Sequence, residues 1–488
     1  MFETICQTIP ADPHLAPRAR RLEIYRRVLD GTIYDALPYA FQEERNGAGE
    51  YVPLRARRPS VRYGLCRIVV EDSVSLLFSA GHFPAVECAE PEIETLLADL
   101  LGECRLNEVM IDAALRGSVG SVAILLRVLK GRFFCSVMET QYLTPRWRED
   151  APDTLEQVTE LYKVRGAELI GQGYQGIDPG QTYWFQRRWD AQAETWFEPV
   201  PVGEGLPAAA DRARSVRHDL GFVPIVWIRN LPGGEGADGA CSFRAAIETS
   251  IEIDYQLSQV GRGLKYASDP TLLIKEPATT DREMVKGAGN ALIVSEKGDA
   301  KLLEIGGTAS AAVIDYVRTL REFALESVHG NRASADRLAA PQSGRALELM
   351  NQGLIWLADN LRIAYGEGGL LPLLRMALRA AARFDVKVMG RTVPRVDPDL
   401  RLSLRWPRWY AASADDRLKE AQAIATLVNA GQLSRETAVK SLAASHVIGD
   451  AAAELARIAD EGDQLERTGH ERRIRGARGA AGRAAGGA

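Results

Sequence analysis

The residues of this chain best suited to chemistry by type and spacing lie between an apolar run ending at Ile228 and a helical pattern that starts near Ser242. Gly234-Glu235-Gly236-Ala237-Asp238-Gly239 fits G-x-G-x-x-G. In a dinucleotide site such glycines let backbone N–H groups approach a pyrophosphate at a helix N-terminus. Two features oppose that chemistry here. Glu235 and Asp238 would repel phosphate, and the residues downstream read as helix where a second parallel strand should bear the ribose-binding acid. A hinge is the expected role of the loop. A soluble dinucleotide-binding enzyme built on Gly234 to Gly239 is the competing reading.

His329 near Asp336, and Ser343 beside Gly344, are the other candidates for catalytic groups. No G-x-S-x-G elbow surrounds Ser343, and no paired carboxylates or metal-spaced ligands accompany His329. Ser343 reads instead as the N-cap of a helix starting at Arg345. A Walker-type G-x-x-x-x-G-K-[ST] is absent, so the chain has no ATP motor of its own. The six cysteines contain no C-x-x-C and the six histidines no H-E-x-x-H. Reduced thiols, no metal, no cofactor and no catalytic residue are therefore expected, which means a protein that is not an enzyme.

Charge narrows the partners. The chain carries 60 basic against 65 acidic side chains, a net charge of −5, so no overall basic field holds nucleic acid. Only the tail is locally basic: Arg472, Arg473, Arg475, Arg478 and Arg483 face the single acid Glu471. It could touch DNA weakly and in a salt-sensitive way, or have no partner. The N-terminal residues lack the charged-then-apolar order of a secretion signal, and no run reaches the length of a membrane span. A cytoplasmic origin and no membrane partner are expected.

With 488 residues and 46% hydrophobic content, several structural units can be buried. Apolar spacings of three and four predict helices over 20–37 and 92–116, and 61–81 reads as a buried helix. Short β-rich runs fill 122–200 (VAILLRVL, RFFCSVM, VTELYKV, TYWFQRRW, TWFEPV), with turns at Lys130-Gly131 and 190–194, as in an antiparallel meander or small barrel. A strand is expected over 222–228 and a long helix over 242–266, stopped by Asp269-Pro270. Strand-like runs follow at 271–276, 291–296 and 300–305, then a second helix over 309–328. A polar loop (329–344) leads to a helix over 345–383 that Gly366, Gly368, Gly369 and Pro372 should break or kink. A strand at 400–406 precedes helices at 414–429, 435–443 and 451–467, with Ser413, Ser434 and Asp450 as N-caps and Gly431 as a stop. Residues 468–488 read as disordered. The fold class is α+β.

This order of elements, over about 20–465, resembles the portal proteins of tailed double-stranded DNA bacteriophages. SFRAAIETSIEIDYQLSQVGRGLKYASDP is similar to a first stem helix with its Asp-Pro exit. KLLEIGGTASAAVIDYVRTLREFALES resembles a clip's return strand and second stem helix. PQSGRALELM resembles the family's S-G-x-A-L signature, matched at Ser343, Gly344, Ala346 and Leu347. AGQLSRETAVKSL followed by AAAELARIADE is similar to a helical C-terminal crown. The resemblance implies a β-rich wing with N-terminal helices over 1–230, and a hinge with first stem helix over 231–269. It places a small α/β clip at 270–306, a second stem helix at 307–329 and a tunnel loop at 330–343. A long kinked wing helix with return strand (344–412), a crown (413–467) and an Arg/Gly/Ala tail complete it.

A portal subunit would assemble into a ring, as a dodecamer, at one capsid vertex of the virion. Through the ring a separate terminase packages the genome, and double-stranded DNA is later retained and ejected. The implied partners are the terminase large subunit, the head-tail adaptor, scaffold, the major capsid protein and DNA in the channel. Arg332 and Arg337 in the tunnel loop, and Arg262 and Lys265 at the clip end of the first stem helix, are the DNA-facing candidates. Each could instead pair with an acidic neighbour such as a Glu or Asp of the adjacent subunit. A different capsid-associated protein, without a closed ring, is a third reading.

Overall fold

The computed structural model describes residues 1–79, 81–268, 271–277, 294–303, 308–330, 348–395, 397, 400–410, 414–446 and 451–461. They divide into two units, one of Met1–Arg332 with Asn351–Pro407 and one of Ala333–Met350 with Arg408–Ala488.

Local chemistry sets the first helices of the larger unit. A short helix α1 (Phe2–Gln7), not expected from the sequence, precedes α2 (Pro17–Leu29), whose Pro17 supplies the fixed φ favoured at a helix start. Helix α2 ends at Asp30, before Gly31 at φ 70°, so the helix expected to reach residue 37 gives way to a 3₁₀ turn at Ile33–Ala36. The buried helix over 61–81 is present as α3 (Leu65–Phe78); Leu65, Val69 and Val70, then Val74, Leu77 and Phe78, recur at helical spacing on its covered side. After strand β1 (Ala85–Cys88), the single helix expected over 92–116 is two, α4 (Pro91–Glu103) and α5 (Leu106–Gly117). The break falls at Arg105, whose left-handed φ of 48° cannot continue a right-handed helix.

Every β-rich run read from the sequence is a strand, but the strands belong to two sheets. One has the order β10-β2-β3, from β2 (Ser121–Leu129), β3 (Arg132–Glu139) and β10 (Ile225–Arg229). The other runs β4 (Leu143–Trp147), β5 (Leu155–Arg165), β6 (Thr182–Trp189), β7 (Ala193–Phe197) and β9 (Ala210–Arg217), with β8 (Val200–Pro201) beside β6. A short helix α6 (Gly166–Gly171) follows β5. Strand β9 escaped sequence reading because its charged residues mask alternation, as suits a sheet edge. Lys130 and Gly131, at φ 50° and 71°, make the tight turn from β2 to β3. The Asp190 carboxylate shapes the next expected turn by accepting the Gln192 and Ala193 amides at 2.8 and 2.9 Å.

Strand β2 explains the split. Val122 through Leu126 are all buried, so the strand reads as a continuous apolar run. Val122, Ile124 and Leu126 face the core shared with the helices, while Ala123 and Leu125 face a second core with Val158, Trp189 and Ile225.

Helix α7 (Ile247–Ser268) and helix α8 (Thr308–Ser327) pack on one another and bracket an antiparallel hairpin of β11 (Thr271–Pro277) and β12 (Val294–Leu303). The described parts of the runs expected at 291–296 and 300–305 belong to one strand, β12, which continues across the residues between them. The long helix likewise does not break. Helix α9 (Gln352–Leu361) passes through a π-helical stretch, Arg362–Leu370, into α10 (Leu371–Ala381), with Pro372 in its first turn. Glycine is required there for close approach: a Cβ on Gly366 would lie 2.6 Å from the Trp406 ring, and one on Gly369 2.7 Å from Ile228. A two-residue hairpin, β13 (Lys387–Val388) with β14 (Arg391–Thr392), precedes β15 (Leu402–Arg405), which pairs with β1.

In the smaller unit, α11 (Ala414–Asn429) and α12 (Arg435–His446) pack together, and 451–461 is helical. Gly431 at φ 69° ends the first, and the Ser434 hydroxyl accepts the Thr437 amide at 3.1 Å to cap the second. Ser413, Asp450 and the 468–488 tail lie outside the described residues. The architecture is α+β.

Helix α7 carries a buried carboxylate. Asp254, 3% exposed, accepts the Tyr34 hydroxyl at 2.6 Å and the Tyr63 amide at 2.7 Å. Burial raises its pKa above 3.8, against the opposing pull of those two bonds and of Arg62. The folded chain thus holds this proton more tightly than the unfolded one, so the contribution is full below the unfolded pKa and is lost as pH rises through the folded value. Asp254→Asn should therefore gain stability relative to the parent as pH rises from about 4 to about 7, read as the difference in thermal midpoints. Asp254→Ala, which strands the Tyr34 hydroxyl and Tyr63 amide, should cost about 1–3 kcal/mol per orphaned group. A pH-independent difference for Asp254→Asn would show that this carboxyl does not titrate as described.

Candidate functional site

The glycine-rich loop leaves β10 at Asn230, a side chain only 1% exposed. The amides of Asn230 and Gly239 both donate to the Gly120 carbonyl, at 3.0 and 2.8 Å, and the Ala240 amide donates to Leu231 at 2.7 Å. The Asn230 side-chain amide donates to the Ala240 carbonyl and the Ser242 hydroxyl, both at 2.8 Å, while its oxygen accepts the hydroxyl of the buried Tyr365 at 3.0 Å. The two ends of the loop are thus pinned to the start of β2 and to the π-helical stretch. Gly239 sits so close to its opposite strand that a Cβ there would lie 2.6 Å from the Asn230 nitrogen.

Asp238, inside the glycine motif, is buried at 4% exposure. Its carboxylate accepts Arg18 Nε at 3.0 Å, Arg21 Nη2 at 3.1 Å and the Ser121 hydroxyl at 2.6 Å, and it also pairs with Arg18 Nη2. Arg18 extends the network to the Thr140 and Leu143 carbonyls at 2.8 and 2.7 Å, and Arg21 pairs with Glu235. Burial alone would raise the Asp238 pKa. The bonds from Arg18, Ser121 and Arg21 outweigh it and hold the carboxyl below the ordinary 3.8.

This geometry removes the basis of a dinucleotide site. The loop amides at Asn230, Gly239 and Ala240 are committed within the chain, and the next helical turn begins only at Arg244. Every strand pair among the described residues is antiparallel, so β10 belongs to no parallel βαβ unit. Motion about the loop, as a hinge demands, would have to break these bonds. The anomalous acid inside the glycine motif was the sequence signal of the network. Nothing in the sequence pointed to Arg18 as its partner.

Of the DNA-facing candidates, Arg262 and Lys265 lie one turn apart near the end of α7. Arg262 is ion-paired with Glu44 of its own chain. Glu44 lies 4.0 Å from the buried Arg57, whose guanidinium donates to the Val52 carbonyl at 3.0 and 2.6 Å. The Tyr255 hydroxyl on α7 closes the connection by donating to the Arg57 carbonyl at 2.7 Å. The segment around residues 39–58 is thus strapped to the helix. Lys265 is exposed. Arg332, Arg337, Asp336, Ser343, Gly344, Ala346 and Leu347 lie outside the described residues.

His329 ends α8 with a left-handed φ of 54°, and the Gly330 amide donates back to Leu325 at 2.8 Å, the hydrogen bond of a helix C-cap. Its ring meets the edge of Trp356 at 4.8 Å between centroids. That pair borders a cleft of about 680 Å³ lined by Pro232, Arg244, Glu248 and Asn360. No group of three His, Cys, Asp or Glu side chains suited to a metal occurs among the described residues, and no helix there is long and apolar enough to cross a membrane.

No family model matches the chain, and no curated protein does. Among solved structures it is similar to a chain in the neck of a native gene transfer agent particle computed with C12 symmetry. The identity is 13%, the match covers 90% of this chain and 97% of that one, and the TM-score is 0.39. A chain of the native gene transfer agent virion is 12% identical over 77% of this chain and 91% of its own length, with a TM-score of 0.35. A chain in the neck of the empty particle, computed with C6 symmetry, is 13% identical over 76% and 87%, with a TM-score of 0.34.

Removing the charge of the buried Asp238 leaves the partly buried Arg18 without its counter-ion. Asp238→Ala should cost about 3–5 kcal/mol, the penalty for breaking a buried pair, read by thermal or denaturant unfolding. Millimolar NAD should leave the thermal midpoint of the parent protein unchanged; a saturable upward shift would restore the nucleotide reading.

Proposed function

We propose that the chain is a portal subunit, a structural protein that assembles with copies of itself into a ring whose axial channel carries double-stranded DNA. The observation that supports this reading most directly is the pair α7 and α8, mounted on a large core at one end, bracketing a β-hairpin at the other, and apolar on faces that the described residues leave uncovered. Tyr316 and Phe323 on α8 are seven residues apart, two helical turns on one face, and are 48% and 62% exposed. Leu264 on α7 and Ile314 on α8 are exposed too. Helices of this kind gain stability by packing against identical neighbours, and a head-to-tail contact that closes on itself makes a ring.

Charge agrees with a conduit for DNA. A net charge of −5 lets a duplex slide, where a strongly basic lining would hold it by phosphate neutralisation. In this reading the clip over 270–306, which contains β11 and β12, meets the terminase and later the head-tail adaptor. The β-rich wing and helical crown face capsid protein, scaffold and packaged DNA in the virion. Arg262, Lys265, Arg332 and Arg337 are the cations proposed near the duplex, and the Glu44 pair moderates the charge of the first. Ser343, Gly344, Ala346 and Leu347, outside the described residues, are proposed as the family-like signature preceding the long helix.

Burying an aromatic side chain at each interface is worth about 1.5–3 kcal/mol, so losing two should weaken each contact on the order of 10²-fold or more. The double variant Tyr316→Asp, Phe323→Asp should therefore run by light scattering near the 53.4 kDa of one chain, with its far-ultraviolet circular dichroism retained. The parent should run at a large multiple of that mass. An unchanged assembly in the folded variant would contradict the proposed interface.

A further inference from the structure

Helix α9 and the π-helical stretch after it carry an exposed apolar stripe separate from the α8 face described above. Trp356 and Ile363 are 58% and 59% exposed, and the half-buried Asn360 lies between them. Trp356 and Asn360 line the cleft of about 680 Å³, and Asn360 and Ile363 line a second of about 360 Å³ against the glycine-rich loop. Ser327, Val328 and His329 at the end of α8 line the first cleft too, and the His329 ring meets the edge of Trp356. Phe323 and Ser327 are one helical turn apart. The stripe that begins at Tyr316 therefore runs down α8 into the cleft and out again along α9.

We infer that the copy-to-copy contact continues over this surface, so that a second copy of this chain covers Trp356 and Ile363. The inference rests on the ring reading and adds to it the part of the interface that α8 cannot supply. Area decides the matter. Each side of a standard protein interface buries about 800 Å², a little over half of it apolar. At their exposures Tyr316 and Phe323 offer on the order of 200 Å², about half of that apolar share. Trp356 and Ile363 bring the total to on the order of 450 Å², which meets it. Contiguous apolar patches of that size mark interaction sites. Arg244 and Glu248, both exposed, line the same cleft and give the patch a polar rim. Trp356 is the anchor of this surface: a wide ring set against His329, beside a cleft that an apolar group of the neighbouring copy fills.

The test uses light and heavy-isotope-labelled full-length chains, each with Trp356 replaced by the photo-cross-linker p-benzoylphenylalanine, mixed before assembly, illuminated and mapped by mass spectrometry. The expected result is cross-linked peptides from position 356 that join a light half to a labelled one. Cross-links confined to single chains, in protein that still assembles, would overturn this contact and leave the ring reading standing. A parent chain that stays monomeric by light scattering would overturn both. Trp356→Ala, with its circular dichroism retained, should raise the concentration at which the assembly half-dissociates by about 30-fold; an unchanged concentration would show that Trp356 anchors nothing.

Discussion

A carboxylate taken out of water needs compensating donors close at hand, and the way Asp238 meets that need determines where the segments around it lie. Arg18 and Arg21 come from α2, Ser121 from the start of β2, and the carboxylate from the loop that connects β10 to α7. The neighbouring Asn230 bonds the far end of the loop and the π-helical stretch through Tyr365. One continuous polar network thus joins the N-terminal helix, the central sheet, the base of α7 and the long C-terminal helix. Networks of this sort are costly to leave half satisfied. The base of the helix pair is accordingly fixed in the core while its far portion remains open on the surface.

That division between a fixed base and an open shaft gives the molecule its functional logic. Near its start α7 buries Ile247, Ile251 and Tyr255 and carries the satisfied carboxylate of Asp254. Toward Leu264, and along much of α8, the helices expose apolar and charged side chains together. Among the described residues nothing covers them; in the proposed ring, neighbouring copies would. The Glu44 to Arg262 pair sets an acid of the same chain against one of the basic side chains on this shaft.

Much of this arrangement was legible in the sequence because burial on one face leaves a period. Helices α3, α7 and α8 and strands β2, β3, β5, β6 and β7 stand where their apolar spacing put them. Other features depend on contacts that no local pattern encodes. Arg105 breaks a run whose periodicity continues past it, and β12 joins two runs that read separately. Gly366 and Gly369, which read as a helix break or kink, lie in a π-helical stretch and let it pass close to Trp406 and Ile228. In the candidate site the glycines were visible but their purpose was not, because Arg18 and Ser121 lie far from Asp238 in sequence. The Glu44 to Arg262 pair escaped notice for the same reason.

Electron microscopy of the purified full-length chain tests the central claim most directly. The account predicts closed rings with an axial hole wide enough for a DNA duplex, their symmetry giving the number of subunits. A uniform population of monomers or dimers, under conditions where the chain is folded, would contradict it.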